Sequence, residues 1–512
     1  MLMLRRSLIL GSFLLIGGCL DNATTMMKSV VPVQLNSNEP VIAQIDKQHK
    51  KSMLAVGADI DRKRNQSSGL GLIKHSALEN YANEQLTKLK KASGFESAPG
   101  RVYLFADTAF GARASADGNI YIPYAVIIDL KSSDELAALL AHELSHTIRG
   151  HSSSDIFVKV QKKGLAATSM VANFRKSDTG VVRSNDMKNI KKTMASVLIT
   201  DGFINPGWTR VQESEADKLG LDIMIKAGYN PDGMFVLLDK VAQWDEKNSH
   251  IQQQRDAVLE NMLGSFKLTD DKSALGQTLN SYFAQGATRF GAMVDSLNKS
   301  HDSAETRYDA LLEYADKHYG DISSPALETR RWNAVAQNNS TKTMWQALQD
   351  TLAAREAIAQ GNYRSAEKLI AKAKVHAQDQ NFVNQTLYEL GDAQRKNNTM
   401  QNGLNAGLKG QYPSLFLQVE KTKLASAKAD KVPLPAAQGL ANAFDAYGRP
   451  ADYYNEVMTL LSKSDMKSQV LALQAECVAK YVGEGISCNV GDEEKDKQGA
   501  DFSYKNMMKS FL

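Results

Sequence analysis

The chain has 512 residues, of which 43% are hydrophobic and 23% are charged. A single hydrophobic core rarely grows beyond about 250–300 residues, so this length predicts two or three domains. The formal net charge at pH 7 is only +4. Such a balance does not indicate a nucleic-acid-binding surface, and we expect no nucleic-acid partner.

The N-terminus has the architecture of a secretory signal, with two arginines, a short apolar run and small residues before Cys19. The apolar run is too short to cross a bilayer. "LIGGC" is similar to the bacterial lipobox, which implies a signal peptide at residues 1–18 and a lipidated Cys19. The alternative is an ordinary signal with an incidental cysteine. Because Leu20 is not aspartate, the resemblance favours the outer membrane over the inner, with residues 19–45 as a polar tether.

The chain has three cysteines, and lipidation of Cys19 would leave Cys477 and Cys488, eleven positions apart. In an oxidising compartment, this spacing predicts a disulfide that closes a small loop. The alternative is a pair of unpaired small apolar residues.

The first predicted elements lead to one long helix. Residues 76–92 have the apolar spacing of an amphipathic helix. Residues 101–105 and 118–127 are rich in β-branched and aromatic side chains, which predicts two strands. Ser132 and Glu135 form a capping-box pattern, so we expect a helix to begin there and to contain "LAALLAHELSH".

The segment "HELSH" predicts a metal site on this helix. His142 and His146 are four residues apart, so one helical turn places both imidazoles on the same face. Two imidazoles suit zinc, and the adjacent Glu143 is placed to accept a proton from a zinc-bound water. The alternative is a solvent-exposed helix face that carries two histidines.

A second helical pattern, at residues 211–231, offers a third ligand. Glu213 and Asp217 are four residues apart and share a face, whereas Glu215 points elsewhere. Glu213 would complete a His2Glu set with water in the fourth position, and Asp217 would hold the second nitrogen of a ligand histidine.

These motifs together resemble a known family. H-E-x-x-H followed by E-x-x-A-D, with "ELAALLAHELSH", resembles the gluzincin metallopeptidases of the HtpX and CAAX prenyl endopeptidase type over residues 76–314. "TAFGARASADGNIYI" is similar to a family segment in which Thr108 replaces asparagine. "SHDSAETRYDAL" resembles S-H-P-x-x-x-x-R, where His301 and Arg307 keep the spacing but Asp302 replaces proline.

The resemblance implies one zinc ion per chain with three protein ligands: His142, His146 and Glu213. It implies that Glu143 is the general base and that Asp217 supports the site, while Arg307 is structural. It also implies that His301 approaches the site and stabilises the oxyanion or gates the water position. The alternative for His301 is a surface histidine before a helix. His151 matches the family, and we interpret it as capping the helix or supporting a ligand.

The strand before the zinc helix is the predicted substrate site. An extended polypeptide could add to an exposed sheet edge formed by Gly118, Asn119, Ile120 and Tyr121. A proline at position 123 suits an edge strand. The alternative is that this strand belongs to the core.

Integral-membrane relatives carry long apolar spans, but residues 164–200 are interrupted by several lysines and arginines. We expect two helices here, joined near residues 177–184, and we hypothesise that they cover the cleft.

The C-terminal region, residues 332–512, has a different pattern. Gly361, Tyr363 and Ala366 separate two helical halves in a way that resembles a tetratricopeptide turn, and residues 440–463 repeat it at an irregular period. We expect an α-helical, solenoid-like domain that binds envelope protein partners or substrate. The alternative is a helical bundle that only packs on the protease.

The expected fold is mainly α (α+β), with a gluzincin-like zinc peptidase domain at residues 46–325 that contains a small sheet. The first functional hypothesis is a lipid-anchored periplasmic zinc endopeptidase that cuts misfolded or unassembled envelope proteins. The second is a helical-repeat scaffold or chaperone whose metal site is inactive or covered.

Overall fold

A computed structural model describes residues 35–45, 55–151, 210–244, 247, 304–427, 431–481, 488 and 490. Cys19 with its signal segment, the two helices expected at residues 164–200, and His301 lie outside the described residues. In the described part of the chain, no helix combines the length and apolar character that a bilayer crossing needs.

The described chain is mostly helical with a small mixed sheet, which confirms the predicted fold class. The helices are α1 (Ala58–Gln66), α2 (Ser76–Ser93), α3 (Tyr124–Asp129), α4 (Ser133–Arg149), α5 (Arg210–Lys226), α6 (Ala304–Tyr319), α7 (Arg330–Ala336), α8 (Asn339–Ala359), α9 (Tyr363–Ala377), α10 (Asn381–Ala393), α11 (Asn397–Lys409), α12 (Leu415–Ser426), α13 (Leu434–Ala446), α14 (Tyr454–Ser462) and α15 (Lys467–Tyr481). Residues 232–244 are also helical. Short 3-10 turns occur at Val41–Ala43 and Ala451–Tyr453.

The sheet has the strand order β1 (Leu72–Ile73), β2 (Val102–Phe105), β4 (Ile120–Pro123) and β3 (Arg113–Ala114). The pair β2–β4 is parallel, whereas β1–β2 and β3–β4 are antiparallel. β4 therefore lies inside the sheet, between β2 and β3. Within the described residues, the edges of the sheet are β1 and β3.

This order corrects the predicted substrate edge at Gly118, Asn119, Ile120 and Tyr121. The side chains of Asn119 and Tyr121 are buried and hydrogen-bonded within the protein. Asn119 and Tyr121 both donate hydrogen bonds to the buried carboxylate of Asp61, at 2.8 Å and 2.7 Å. At Gly118, whose φ is +75°, a Cβ would lie 2.6 Å from the carbonyl oxygen of Pro99. Backbone and side chains on both sides thus leave no room for a peptide beside this strand.

The strand predicted over residues 118–127 is also too long, because Tyr124 to Ile127 belong to α3. Pro123 lacks the N–H that a continuing ladder would need, and it stands as the N-cap of the helix. All four residues of the run "YAVI" are buried. A short apolar run that is buried on every side carries no periodicity, so its pattern fits a strand and a helix equally.

One apolar core extends from the sheet into the C-terminal helices. Trp332 is fully buried, packs against Tyr81 of α2, and donates its indole N–H to the carbonyl oxygen of Leu130 at 2.8 Å. Tyr124 stacks on Trp345 of α8. The core cluster continues as far as Leu390. Packing is therefore unbroken between residues 325 and 332, where the sequence predicted a domain boundary.

Each C-terminal helix from α8 to α15 packs against the next helix in the chain. Gly361, at φ +72°, forms the turn between α8 and α9, and Asn362 caps α9 by accepting the N–H of Ser365. At Gly403 in α11, a Cβ would lie 2.5 Å from the backbone nitrogen of Tyr388 in α10, so glycine permits this close approach. The structure places a disulfide between Cys477 and Cys488, with Cα atoms 5.6 Å apart.

The segment from α1 to β1 joins these helices to the sheet. The Arg64 guanidinium donates to the carbonyl oxygen of Gly448 at 2.7 Å and 3.0 Å. Ser67 accepts the N–H of Leu415 and the hydroxyl of Tyr453. The helical region is thus fixed to the N-terminal part by buried polar contacts as well as by the shared core.

Candidate metal centre

Helix α4 begins as the capping-box pattern predicted. The Ser132 hydroxyl accepts the N–H of Glu135 at 3.1 Å, and the Glu135 carboxylate accepts the N–H of Lys131 at 3.0 Å. The helix ends at Gly150, which has the left-handed conformation that C-caps favour. The two caps fix where this buried helix begins and ends, and the histidine pair lies in its C-terminal half.

Helix α5 crosses α4 closely because of one glycine. A Cβ on Gly220 would lie 3.1 Å from the backbone nitrogen of His142 and 2.9 Å from the Met234 methyl group. Since any larger residue would separate the two backbones, Gly220 allows Glu213, two turns earlier on α5, to reach the histidines of α4.

The structure brings together the three residues that the sequence proposed as ligands. The Nε2 atoms of His142 and His146 are 3.1 Å apart, and the Glu213 carboxylate oxygens lie 3.6 Å and 3.5 Å from them. Within the described part of the chain, this is the group of histidine, cysteine and acidic side chains whose donor atoms converge on one point.

The donor set fits a zinc ion. Ligands about 2.0–2.1 Å from a tetrahedral zinc lie roughly 3.3 Å from one another, close to the three separations seen here. Two imidazole nitrogens and one carboxylate also form a known catalytic set that leaves a fourth position open. His146 and Glu213 are almost fully buried, so the group is held by packing rather than by exposed, mobile side chains.

Asp217 and Arg307 surround this group as the sequence proposed. The Asp217 carboxylate lies 3.0 Å from Nδ1 of His142, on the far side of the ring from the convergence point. Arg307 donates two hydrogen bonds to Asp217, at 2.8 Å and 2.7 Å, and its third nitrogen lies 3.1 Å from Glu213. The Arg307 guanidinium therefore links Glu213 and Asp217 of α5 to helix α6.

The charges of these neighbours shift one another's pKa values. Burial alone would raise the pKa of Asp217, but the Arg307 charge and the hydrogen bonds from Arg307 and His142 hold it well below its usual range. Burial alone would lower the pKa of His142, but Asp217 and Glu213 outweigh burial and raise it.

Glu143 stands beside the ligands with its carboxylate almost fully buried. Burial is the main reason that its pKa is raised to about 7; the nearby charge of Glu213 also raises it, while a backbone hydrogen bond from Ala114 in β3 lowers it. Its Oε2 atom accepts no hydrogen bond from the residues that the structure describes. Such a group is suited to exchange a proton near neutral pH.

A third imidazole, which the sequence interpretation assigned to helix capping or to support of a ligand, contacts His146. Nδ1 of His151 lies 2.8 Å from Nδ1 of His146, and its Nε2 lies 3.3 Å from the Glu215 carboxylate, which Arg149 binds at 3.0 Å. Burial lowers the pKa of His151, while His151 and Arg149 together overcome burial and lower the pKa of Glu215.

The sequence pattern assigns no role to Glu215, because it places this residue on a different face of the helix from Glu213 and Asp217. The available signal was the turn after the helix: Gly150 reverses the chain, so that His151 folds back toward His146. The Nε2 atom of His151 then needs a hydrogen-bond partner, which Glu215 on the neighbouring helix provides.

The far end of α5 is anchored by a buried carboxylate. Asp222 accepts hydrogen bonds from the Ile42 N–H at 2.9 Å, from Tyr314 at 2.9 Å and from Tyr319 at 2.7 Å. Burial raises the pKa of Asp222. These contacts tie α5 to α6 and to the N-terminal 3-10 turn, which fixes the helix that carries Glu213.

The segment that carries this centre is similar to known metalloproteases. Residues 76–315 match the profile of Peptidase family M48. The chain is 26% identical over 171 residues to the metalloprotease YcaL of Escherichia coli, an alignment that covers 32% of this chain and 59% of YcaL. It is 26% identical over 146 residues to the metalloprotease LoiP of E. coli, covering 28% of this chain and 52% of LoiP.

A third relative is the beta-barrel assembly-enhancing protease of Yersinia pestis, with 23% identity over 206 residues and 40% of each chain covered. The chain thus spans between 40% and 59% of the length of these relatives. The matched segment contains the metal-site residues on α4 and α5 together with Arg307 on α6.

Proposed function

We propose that the protein is a zinc-dependent metalloendopeptidase, a proposal supported by the match of residues 76–315 to the profile of Peptidase family M48. The observation that carries the proposal is the convergence of His142, His146 and Glu213 on one point, with Glu143 beside them. A scaffold alone would not need a buried carboxylate of raised pKa next to a three-ligand group.

Each residue of the centre has a defined role in peptide hydrolysis. Zinc, when bound, supplies a Lewis acid that lowers the pKa of water to about 7 and polarises a carbonyl group. Glu143 accepts the proton of the attacking water on its carboxylate and then donates it to the leaving amine. Asp217 accepts the Nδ1 proton of His142 and so orients that ligand.

Arg307 keeps Asp217 ionised and aligned, since two of its nitrogens bond that carboxylate. The proposal also includes His301, which by family resemblance would stabilise the oxyanion or gate the water position.

The proposed substrates are polypeptides. Strand β3 is a sheet edge within the described residues and lies against α4, and its Ala114 bonds the carboxylate of Glu143. An extended chain paired with this edge would have its backbone beside the catalytic base. Recognition through main-chain hydrogen bonds would make the sequence preference modest.

The proposed location is the bacterial cell envelope, with Cys19 as a lipid anchor that follows a signal peptide at residues 1–18. One relative is a beta-barrel assembly-enhancing protease, and its name supports misfolded or unassembled envelope proteins as the proposed substrates. The disulfide between Cys477 and Cys488 supports an oxidising compartment. The lipobox resemblance favours the outer membrane, and the C-terminal helices would contact envelope partners.

The test compares wild-type protein with Glu143→Gln. Both should bind one zinc ion per chain by metal analysis, but only the wild type should cleave casein, and a chelator should abolish that cleavage. The variant keeps the shape of the side chain and loses the proton acceptor, so its activity should fall by about 10²-fold or more. Wild-type protein that binds zinc but cleaves nothing would support the scaffold or chaperone hypothesis.

A further inference from the structure

The contact between two imidazoles sets the proton positions in this part of the site. His146 directs Nε2 toward Glu213 and His142, so Nε2 is its ligand atom. An imidazole that binds a metal through Nε2 in its neutral form carries its proton on Nδ1. That Nδ1–H faces Nδ1 of His151 at 2.8 Å, and His151 must therefore present a lone pair there.

Because Nδ1 of His151 accepts a hydrogen bond, the single N–H proton of the neutral ring must lie on its other nitrogen. It lies on Nε2, which faces the Glu215 carboxylate at 3.3 Å, and two nitrogens of Arg149 hold that carboxylate at 3.0 Å. The order of donors and acceptors along this chain is fixed from His146 to Arg149. The four residues come from the last turn of α4, from the position directly after its C-cap Gly150, and from the first turns of α5.

We propose that His151 and Glu215 are positioning residues that hold the ring orientation and tautomer of His146 as a metal ligand. His142 receives this support directly from a carboxylate, Asp217, whereas His146 receives it through a second imidazole. The inference rests on the proposed zinc site and adds a second supported ligand to it. Partners of this kind typically change metal affinity by about 10- to 100-fold when they are removed.

The experiment measures zinc dissociation constants of the full chain by competition with a chromophoric chelator. His151→Phe removes both ring nitrogens and should weaken zinc binding by about 10- to 100-fold. His151→Asn places an amide oxygen near the position of Nδ1 and should recover most of this loss. The visible spectrum of the Co²⁺-loaded protein should shift in the Phe variant and return toward wild type in the Asn variant.

The control is His75→Phe, at a histidine that is also buried but that caps α2 and contacts none of the metal-site residues. It should lower the melting temperature of the metal-free protein without changing zinc affinity.

Three outcomes would overturn the proposal. Zinc affinity of His151→Phe within about twofold of wild type would show that His151 does not position the ligand. Equal losses in the Phe and Asn variants would show a packing effect only. Glu215→Leu leaves both imidazoles in place and should weaken zinc binding about tenfold; unchanged affinity there would overturn the proposal even if His151→Phe failed to fold. Wild-type protein that bound no zinc would instead reject the metal site itself.

Discussion

Substitution of Gly220 tests whether the close packing of α4 and α5 determines the geometry of the proposed metal site. In Gly220→Ala, the added Cβ meets the backbone nitrogen of His142 at 3.1 Å and the carbonyl carbon of Ala141 at 3.3 Å. Both atoms belong to α4, which is buried and cannot shift alone. The Met234 methyl group at 2.9 Å is the end of a flexible side chain and yields more easily.

The expected magnitude follows from two opposing effects. Overpacking of a core typically costs about 1–3 kcal/mol. Replacing a helical glycine by alanine returns about 0.5–1 kcal/mol of backbone entropy. The difference is a loss of up to about 2.5 kcal/mol in the free energy of unfolding, with a central value near 1 kcal/mol. Because the strain separates α4 from α5, the distance between Glu213 and the histidines increases and zinc binding weakens.

The assay measures the melting temperature of the metal-free protein and the zinc dissociation constant. Gly439→Ala is the matched control, since Gly439 lies within helix α13 and a Cβ there would meet nothing within 4 Å. This control should raise the melting temperature slightly and leave zinc affinity unchanged. A Gly220→Ala protein that is as stable as the control and binds zinc as tightly as wild type would refute the packing argument.

Two further predictions concern buried charges. Arg307→Met leaves two buried carboxylates without their guanidinium and should cost about 3–5 kcal/mol of stability. The control Lys396→Met removes one side of an exposed ion pair and should leave the melting temperature unchanged. Equal effects of the two substitutions on the melting temperature would contradict the assignment. Burial lowers the pKa of Lys90 to about 8, so its charged form is penalised in the folded state below pH 8 and this penalty disappears as the pH rises toward the unfolded value of 10.5. The melting temperature of wild type relative to Lys90→Met should therefore increase between pH 8 and pH 10, and a constant difference would be the contrary result.

The sequence predicted the metal-site helices well because local signals agree there. The capping box at Ser132 and the four-residue spacing of His142 and His146 both follow from the geometry of one helix. The matching carboxylate on α5 could be proposed because few acidic residues share a face at the right spacing. The proposed zinc ligands therefore follow from periodicity and donor chemistry together.

Other features depended on information that is not local. The internal position of β4 depends on which strands pair with it, and the edge prediction failed because strand order is not encoded in the pattern of one strand. The buried run that begins at Tyr124 has no alternation to distinguish helix from strand. The role of Glu215 depends on a contact between two helices, so only the folded chain places it beside His151.

Trp332 connects the C-terminal helices to the core of the half that carries the proposed metal site. Its indole fills space between Tyr81 and Leu130, and truncation of a buried tryptophan typically costs about 3–5 kcal/mol. A fragment that stopped at residue 331 would lack the indole that packs on Tyr81 and bonds to Leu130, three residues before α4, the helix that carries His142 and His146. The C-terminal helices therefore contribute directly to the fold that carries the proposed metal site, and a binding event that displaced them would alter the packing around that site.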